Sequence, residues 1–246
     1  MSLSTSAILD AAVEMVARKH LQFPCEHLDI GSGHGDLIGL LRNRFDLHSS
    51  ACDYTDTLME LEDVKVGVAD LNREGLPFAS ESFDLVTCTE VVEHLEHYRE
   101  TLREMHRVLK PGGTLVLSTP NILNLKSRIR FLFFGFYNLF GPLHVRESEL
   151  HLSGGHINPV SSFYLSHSLL DAGFVEIDLA IDKVQGTSRF WHFFLGLPIR
   201  IASAMALKRE KEQFHTVDEH NERFVMQMNS RDVLLGRTIV IGCKKP

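Results

Sequence analysis

Asp29-Ile30-Gly31-Ser32-Gly33-His34-Gly35 closes a short apolar run and opens a helical pattern. A strand that ends in a glycine turn and feeds a helix N-terminus builds a nucleotide-sized pocket, because only glycine lets backbone approach a ligand so closely. A dinucleotide fingerprint wants G-x-G-x-x-G, with a pyrophosphate on the helix N-terminus. Here the third glycine comes one residue early, and a carboxylate, Asp29, stands two residues before the first. That carboxylate repels a pyrophosphate and favours a cation.

The downstream residues extend the pattern. Ser49-Ser50-Ala51-Cys52-Asp53-Tyr54 reads as a second strand ending in an acid, placed to accept both hydroxyls of a ribose. The run from Val64 to Ala69 ends in Asp70-Leu71, a carboxylate suited to an adenine amino group. A fourth strand runs from Phe83 to Thr89-Glu90 and on through Val91-Val92-Glu93-His94 towards a helix. Lys110-Pro111-Gly112-Gly113 then turns the chain into a fifth strand ending near Pro120.

This ordered set resembles the class I S-adenosylmethionine-dependent methyltransferases, closely over residues 26–120 and more loosely over 157–184 and 236–245. Within that family it looks most like the ubiquinone-biosynthesis O-methyltransferases and the methyltransferases of bacterial surface-polysaccharide clusters. The resemblance implies an α/β, Rossmann-like, doubly wound sheet of seven strands, mostly parallel with the last strand antiparallel. It also implies S-adenosyl-L-methionine as cofactor. On the matching positions, Asp29 is expected at the methionine ammonium, directly or through water, and Gly31, Ser32 and Gly33 along the glycine loop. Asp53 is expected at the ribose, Tyr54 at the cofactor, Asp70 and Leu71 at the adenine, and Thr89 and Glu90 near the methionine portion.

Composition agrees with one enzyme domain. At 246 residues and 44% hydrophobic, the chain can bury a single sizeable core, so residues 1–246 are expected to form one domain. A net charge of −7 argues against a nucleic-acid partner held by a basic groove. The four cysteines lack metal-ligand spacing and read as small apolar residues in a reducing compartment. Residues 4–19 show a helical apolar face rather than a secretory leader, so the cytoplasm is expected, with the helix beside the cofactor cleft. The expected path is strand 26–30, helix 35–44, strand 48–53, helix 56–61, strand 64–69, strand 83–88 and helix 97–108. Strand 113–119, helix 159–171, strand 174–183 and strand 236–243 complete it.

Two segments exceed a minimal domain: an insertion over 121–158 and another over 185–235. The first holds Lys126, Arg128 and Arg130 and an aromatic run from Phe131 to Phe140, then His144, His151 and His156. The second holds Phe190-Trp191-His192-Phe193-Phe194. Eight of the sixteen phenylalanines fall in 131–140 and 190–194. Three uses are open: a core that caps the cleft, a homodimer interface, or peripheral membrane contact through 126–140 and 190–201 at the inner membrane face. A membrane-spanning segment is not expected, since Gly, Pro, His or Arg interrupts both runs.

Methyl transfer to oxygen needs a base, and His94 and His156 are the candidates. The acceptor is expected to be a small molecule, a glycan or a lipid-linked intermediate. No metal is assigned, although Glu90-Val91-Val92-Glu93-His94 looks like a segment that the ubiquinone-type enzymes use for a divalent cation; a helix cap is the other reading open for Glu93. The alternatives are an NAD(P)-dependent oxidoreductase and a non-catalytic methyltransferase-like scaffold.

Overall fold

A computed structural model describes residues 5–143 and 155–246. His144 and His151 lie outside the described residues. Seven strands form one sheet: β1 (Cys25–Ile30), β2 (Leu47–Asp53), β3 (Val66–Val68), β4 (Phe83–Thr89), β5 (Leu109–Pro120), β6 (Val175–Ile181) and β7 (Thr238–Lys244). Their order is β3-β2-β1-β4-β5-β7-β6. Every pairing among β1 to β5 is parallel, and β7 runs antiparallel to both β5 and β6. This is the sheet that the family resemblance implied.

The strand order reverses between β1 and β4, so a crevice opens at the carboxyl ends of those two strands. Alternation along the strands divides the core in two. Leu28, Ile30, Val86, Cys88, Leu115 and Leu117 bury one face against helices α3 (Tyr98–Val108) and α5 (Ser162–Asp171). Leu85, Val116 and Val240 bury the other against α1 (Ser6–Arg18) and α2 (Asp36–Arg42). Each fully buried Leu or Ile contributes about 1.5–3 kcal/mol of transfer free energy. All four cysteines are free, buried and on strands. Helix α1 packs over β5 and β7 and beside α2, rather than standing at the crevice alone.

Several expected elements change. No helix forms over 56–61: the Thr57 amide donates to Thr55 Oγ1 at 3.2 Å, and the two hydroxyls pair at 2.9 Å. Such local side-chain bonds compete with a helical ladder. The segment instead lies over the glycine loop, with the Glu60 amide donating to the His34 carbonyl at 3.3 Å. Strand β3 is trimmed to three residues, and α5 begins after its Ser161 cap rather than at Pro159.

Among the described residues both insertions carry helices. The first carries α4 (Leu125–Phe134), whose Asn124 cap accepts from the Ser127 amide at 2.9 Å. The second carries α6 (Gly186–Arg209), a π-helical turn (Glu210–Phe214), α7 (Glu222–Gln227) and α8 (Arg231–Leu235). Gly196 and Pro198 do not interrupt α6, contrary to expectation. Proline removes one amide donor, and here it lies on an exposed part of the helix. The continuous helix Gly186–Phe214 is long and apolar enough to cross a membrane. Its inner side nevertheless packs on α4 and α8.

Candidate active site

The parallel strands bring their carboxyl ends to one edge, and most of the predicted residues meet there. Asp29 is 2% exposed on β1. Thr87 Oγ1, on β4, donates to Asp29 Oδ1 at 2.6 Å. That hydroxyl has one proton, so it accepts from His27 Nε2 at 2.8 Å, and the other ring nitrogen, Nδ1, accepts from Ser49 Oγ at 3.1 Å. Arg42 Nε donates to Ser49 at 3.3 Å. A one-directional hydrogen-bond chain thus leads from the protein surface to Asp29. Burial raises the Asp29 carboxyl from 3.8 to about 7 and lowers the His27 imidazole to about 3. His27 is therefore neutral.

Asp53 is tied to the glycine loop. Its Oδ2 accepts from the Gly33 amide at 2.9 Å and its Oδ1 from the Tyr54 amide at 2.7 Å. These bonds fix the carboxylate in place and leave each oxygen a further lone pair. The two glycines differ in kind. A Cβ on Gly31 would lie 2.2 Å from Val91 Cγ2, so close packing within the protein dictates that glycine. Gly33, at φ +49°, has open space there and is free for a ligand's approach. Ser32 Oγ is buried without a hydrogen-bond partner among the described residues. Tyr54 stands exposed at the end of β2.

Asp70 sits one strand further out. Its Oδ1 caps a turn by accepting from the Asn72 amide at 3.0 Å, and Oδ2 lies 3.4 Å from Arg73 Nε. It is therefore partly engaged in local structure, while Leu71 packs against the main core. Thr89 is buried at the end of β4. Glu90 follows at φ +56°, an uncommon conformation held by its amide donating to Ser118, on β5, at 3.1 Å. Ser118 Oγ donates back to Glu90 Oε1 at 3.1 Å. Burial raises the Glu90 carboxyl to about 7.

The two predicted histidines come together. Their rings stand edge to face with centroids 4.8 Å apart, and Phe140 closes on His156 at 5.2 Å. His94 Nδ1 donates to the Gly155 carbonyl at 3.1 Å, which leaves Nε2 as an acceptor. Burial lowers both imidazoles, His156 to about 4 with His94 adding to the shift, so both are neutral at pH 7.

Glu93 corrects the sequence reading. It lies in a single 3-10 turn (Val92–His94), and its side chain bonds Thr119 on β5 rather than a helix N-terminus. The side chain is buried, Thr119 Oγ1 donates to Oε2 at 3.1 Å, and Oε1 has no partner among the described residues. Burial, then the nearby Glu90, pushes its carboxyl well above the usual range. Glu93, His94 and His156 place one ligand atom each within 4.8 Å of one another.

His27, Thr87 and Ser118 were not singled out in the sequence. Their signal is polar residues on strands whose neighbours are apolar, with His27 and Asp29 two apart and so on one face. The residues present suit a cationic nucleoside cofactor: Asp29 and Asp53 are buried acids with no cation beside them among the described residues, next to an open glycine and an orphaned hydroxyl.

Comparison with known proteins agrees with this geometry. Residues 28–117 match the family model described as a methyltransferase domain. A demethylmenaquinone methyltransferase of Listeria welshimeri is 33% identical over 111 residues, 41% of this chain and 47% of that protein. A ubiquinone/menaquinone biosynthesis C-methyltransferase of Geotalea daltonii is 30% identical over 135 residues, 49% of this chain and 57% of that one. The chain thus spans about half the length of the curated relatives it matches. A solved S-adenosylmethionine-dependent methyltransferase from Archaeoglobus fulgidus superposes with TM-score 0.59 at 18% identity, covering 96% of this chain and 94% of that one. Residues 28–117 thus resemble a methyltransferase domain, and the chain has the Rossmann-like fold seen in the S-adenosylmethionine-dependent methyltransferase from Archaeoglobus fulgidus.

Proposed function

We propose that residues 1–246 act as one domain that methylates an oxygen of a small-molecule, glycan or lipid-linked acceptor, using S-adenosylmethionine, on the cytoplasmic side. One observation carries this reading: the buried carboxylates Asp29 and Asp53 flank an open glycine turn at the sheet's switch point. Asp29 takes the ammonium, Asp53 and Tyr54 the ribose, Asp70 and Leu71 the adenine, and Thr89 and Glu90 the methionine portion. When bound, the cofactor supplies an electrophilic methyl group for in-line displacement. His94, held through Nδ1 by the Gly155 carbonyl, presents Nε2 to take the acceptor's proton. His156 is the weaker base, since its nitrogens favour the neutral form more strongly, and it positions the His94 ring.

A second reading, a carbon acceptor, is favoured by the C-methyltransferase relative. The two are separated by supplying a catechol and a water-soluble naphthoquinol with methyl-labelled cofactor. The oxygen reading predicts a methoxy product that falls about a hundredfold in rate in His94→Ala. A ring-methylated product alone contradicts it. Formation of oxidised substrate with NAD(P), or no turnover despite cofactor binding, favours the oxidoreductase or the scaffold.

A further inference from the structure

We propose that the outward faces of α4 and α6 dock this protein onto an anionic lipid bilayer, with the helices lying in the plane of the interface. The inner stripe of α6 runs through Ser188, Trp191, Leu195, Ile199 and Ser203 and faces the protein. A second apolar stripe, Phe190, Phe193, Phe194, Leu197, Ile201 and Met205, has the same helical spacing on the opposite side. These six residues are exposed, Phe193 at 83% and Met205 at 69%. On α4, which packs against α6, Leu132 and Phe133 are 72% and 80% exposed. Of the clustered phenylalanines only Phe140 is buried, so the segments are not a core. Exposed apolar surface on this scale calls for a covering partner.

Charge names the partner. Helices α4 and α6 carry seven of the chain's 25 Lys and Arg residues and none of its 32 Asp and Glu residues. The remainder of a chain of net charge −7 is therefore strongly acidic, and this pair of helices is the segment whose charge suits an anionic surface. Arg128 is not part of the contact: it spends its donors on Leu123, Met228 and Asn229. Lys126, Arg189, Arg200, Lys208 and Arg209 are exposed. Arg200 stands midway along Gly186–Phe214, and Asn229 Nδ2 donates to Ser203 at 2.7 Å. Spanning would bury that guanidinium and strip those contacts, whereas an in-plane helix keeps both. Helices α4 and α6 follow β5 and β6, whose carboxyl ends lie at the edge bearing the site, so docking presents the site to the lipid surface. The docking does not depend on methyl transfer.

The test is flotation of the full chain with phosphatidylcholine vesicles, with and without phosphatidylglycerol. The protein is expected to float with the anionic vesicles at low salt, and far less with the neutral ones or at high salt. Phe193→Glu with Leu197→Glu, and separately Arg189→Glu with Arg200→Glu, should each lower the bound fraction at least about tenfold. Thermal melting and cofactor titration should be unchanged in both pairs. Failure of the wild type to float with anionic vesicles overturns the proposal, as does flotation of the charge-reversal pair at the wild-type level. A lipid-free dimer that Phe193→Glu with Leu197→Glu converts to monomer also overturns it, in favour of a second copy covering the face.

Discussion

Thr87 Oγ1 donates to Asp29 Oδ1 across 2.6 Å, and a neutral, buried His27 donates through Nε2 to that Thr87 hydroxyl from behind at 2.8 Å. The histidine occupies the hydroxyl's acceptor site, so Thr87 can only give its proton to Asp29. That arrangement favours the ionised carboxylate, which a cationic ligand needs, against the burial that opposes it. Thr87→Val removes the donor and strands the His27 N–H, a loss of about 1–3 kcal/mol in chemical denaturation. S-adenosylmethionine should also bind about tenfold more weakly. His27→Gln keeps one donor and one acceptor and should retain most of both quantities; equal losses in His27→Gln and Thr87→Val would mean that the chain serves packing alone.

Burial raises Asp29 and Glu90 to about 7 from 3.8 and 4.5. A carboxyl whose folded value is raised contributes stability that is complete below its unfolded value and is lost as pH rises through the folded one. His27 and His156 act in the opposite sense. Their folded values are lowered to about 3 and 4, so their contribution is complete above about 6.5 and is lost only as pH falls through those values. Above about pH 6.5 the acids act alone. The melting temperature of the cofactor-free protein should therefore fall as pH rises from about 6.5 to 8, and less steeply in Asp29→Asn. A flat profile in the wild type would show that these acids are already ionised.

Cofactor binding should report the same proton. A cation beside Asp29 lowers its pKa, so near pH 7 association should release about half a proton. Calorimetry in buffers of different ionisation enthalpy measures this directly. Asp29→Asn should abolish that release, and its persistence there would point to another group.

Gly31 is required by its neighbour. At φ +71° an alanine is strained, and its Cβ would meet Val91 Cγ2 at 2.2 Å. Gly31→Ala should cost about 2–4 kcal/mol, of which about 1–2 kcal/mol is backbone. Adding Val91→Ala should recover the clash and leave the backbone part, as a double-mutant cycle would show. Equal costs with and without Val91→Ala would rule out the contact.

Glu93→Gln should preserve stability to within about 1 kcal/mol near pH 7, because burial, then the nearby Glu90, pushes this carboxyl well above its usual range towards the neutral form that Gln mimics. Thr119 can still donate to the amide oxygen. A loss of about 3 kcal/mol or more in thermal unfolding would mean that Glu93 is ionised and paired in the folded protein.

What could be read from the sequence follows from what each signal depends on. Asp29, Asp53 and Thr89 end strands, and strand ends in a parallel sheet share one edge whatever the helices do. The seven-stranded, mostly parallel sheet and its antiparallel β7 were what the family resemblance implied, whereas the strand order emerges only from the assembled sheet. The 56–61 segment was misread because Thr55 and Thr57 satisfy their backbone locally, an effect invisible to helical periodicity. Helix α6 was misread because Gly196 and Pro198 were counted as breaks, although an exposed helix tolerates them. Glu93 could be read as a cap or a metal ligand, but its bonds are tertiary, with Thr119 donating to its buried side chain and the Ile157 and Asn158 amides to its backbone carbonyl, and the sequence does not reveal them. The His27–Thr87–Asp29 chain joins β1 to β4, a pairing that exists only once the sheet is assembled.

The most direct test is calorimetric titration with S-adenosylmethionine and S-adenosylhomocysteine, with NADH as control, on wild type and Asp53→Ala. The account predicts binding of both sulfur ligands, weakened at least about tenfold in Asp53→Ala, and no comparable binding of NADH. Preference for NADH, or sulfur-ligand binding unaffected by Asp53→Ala, would contradict it.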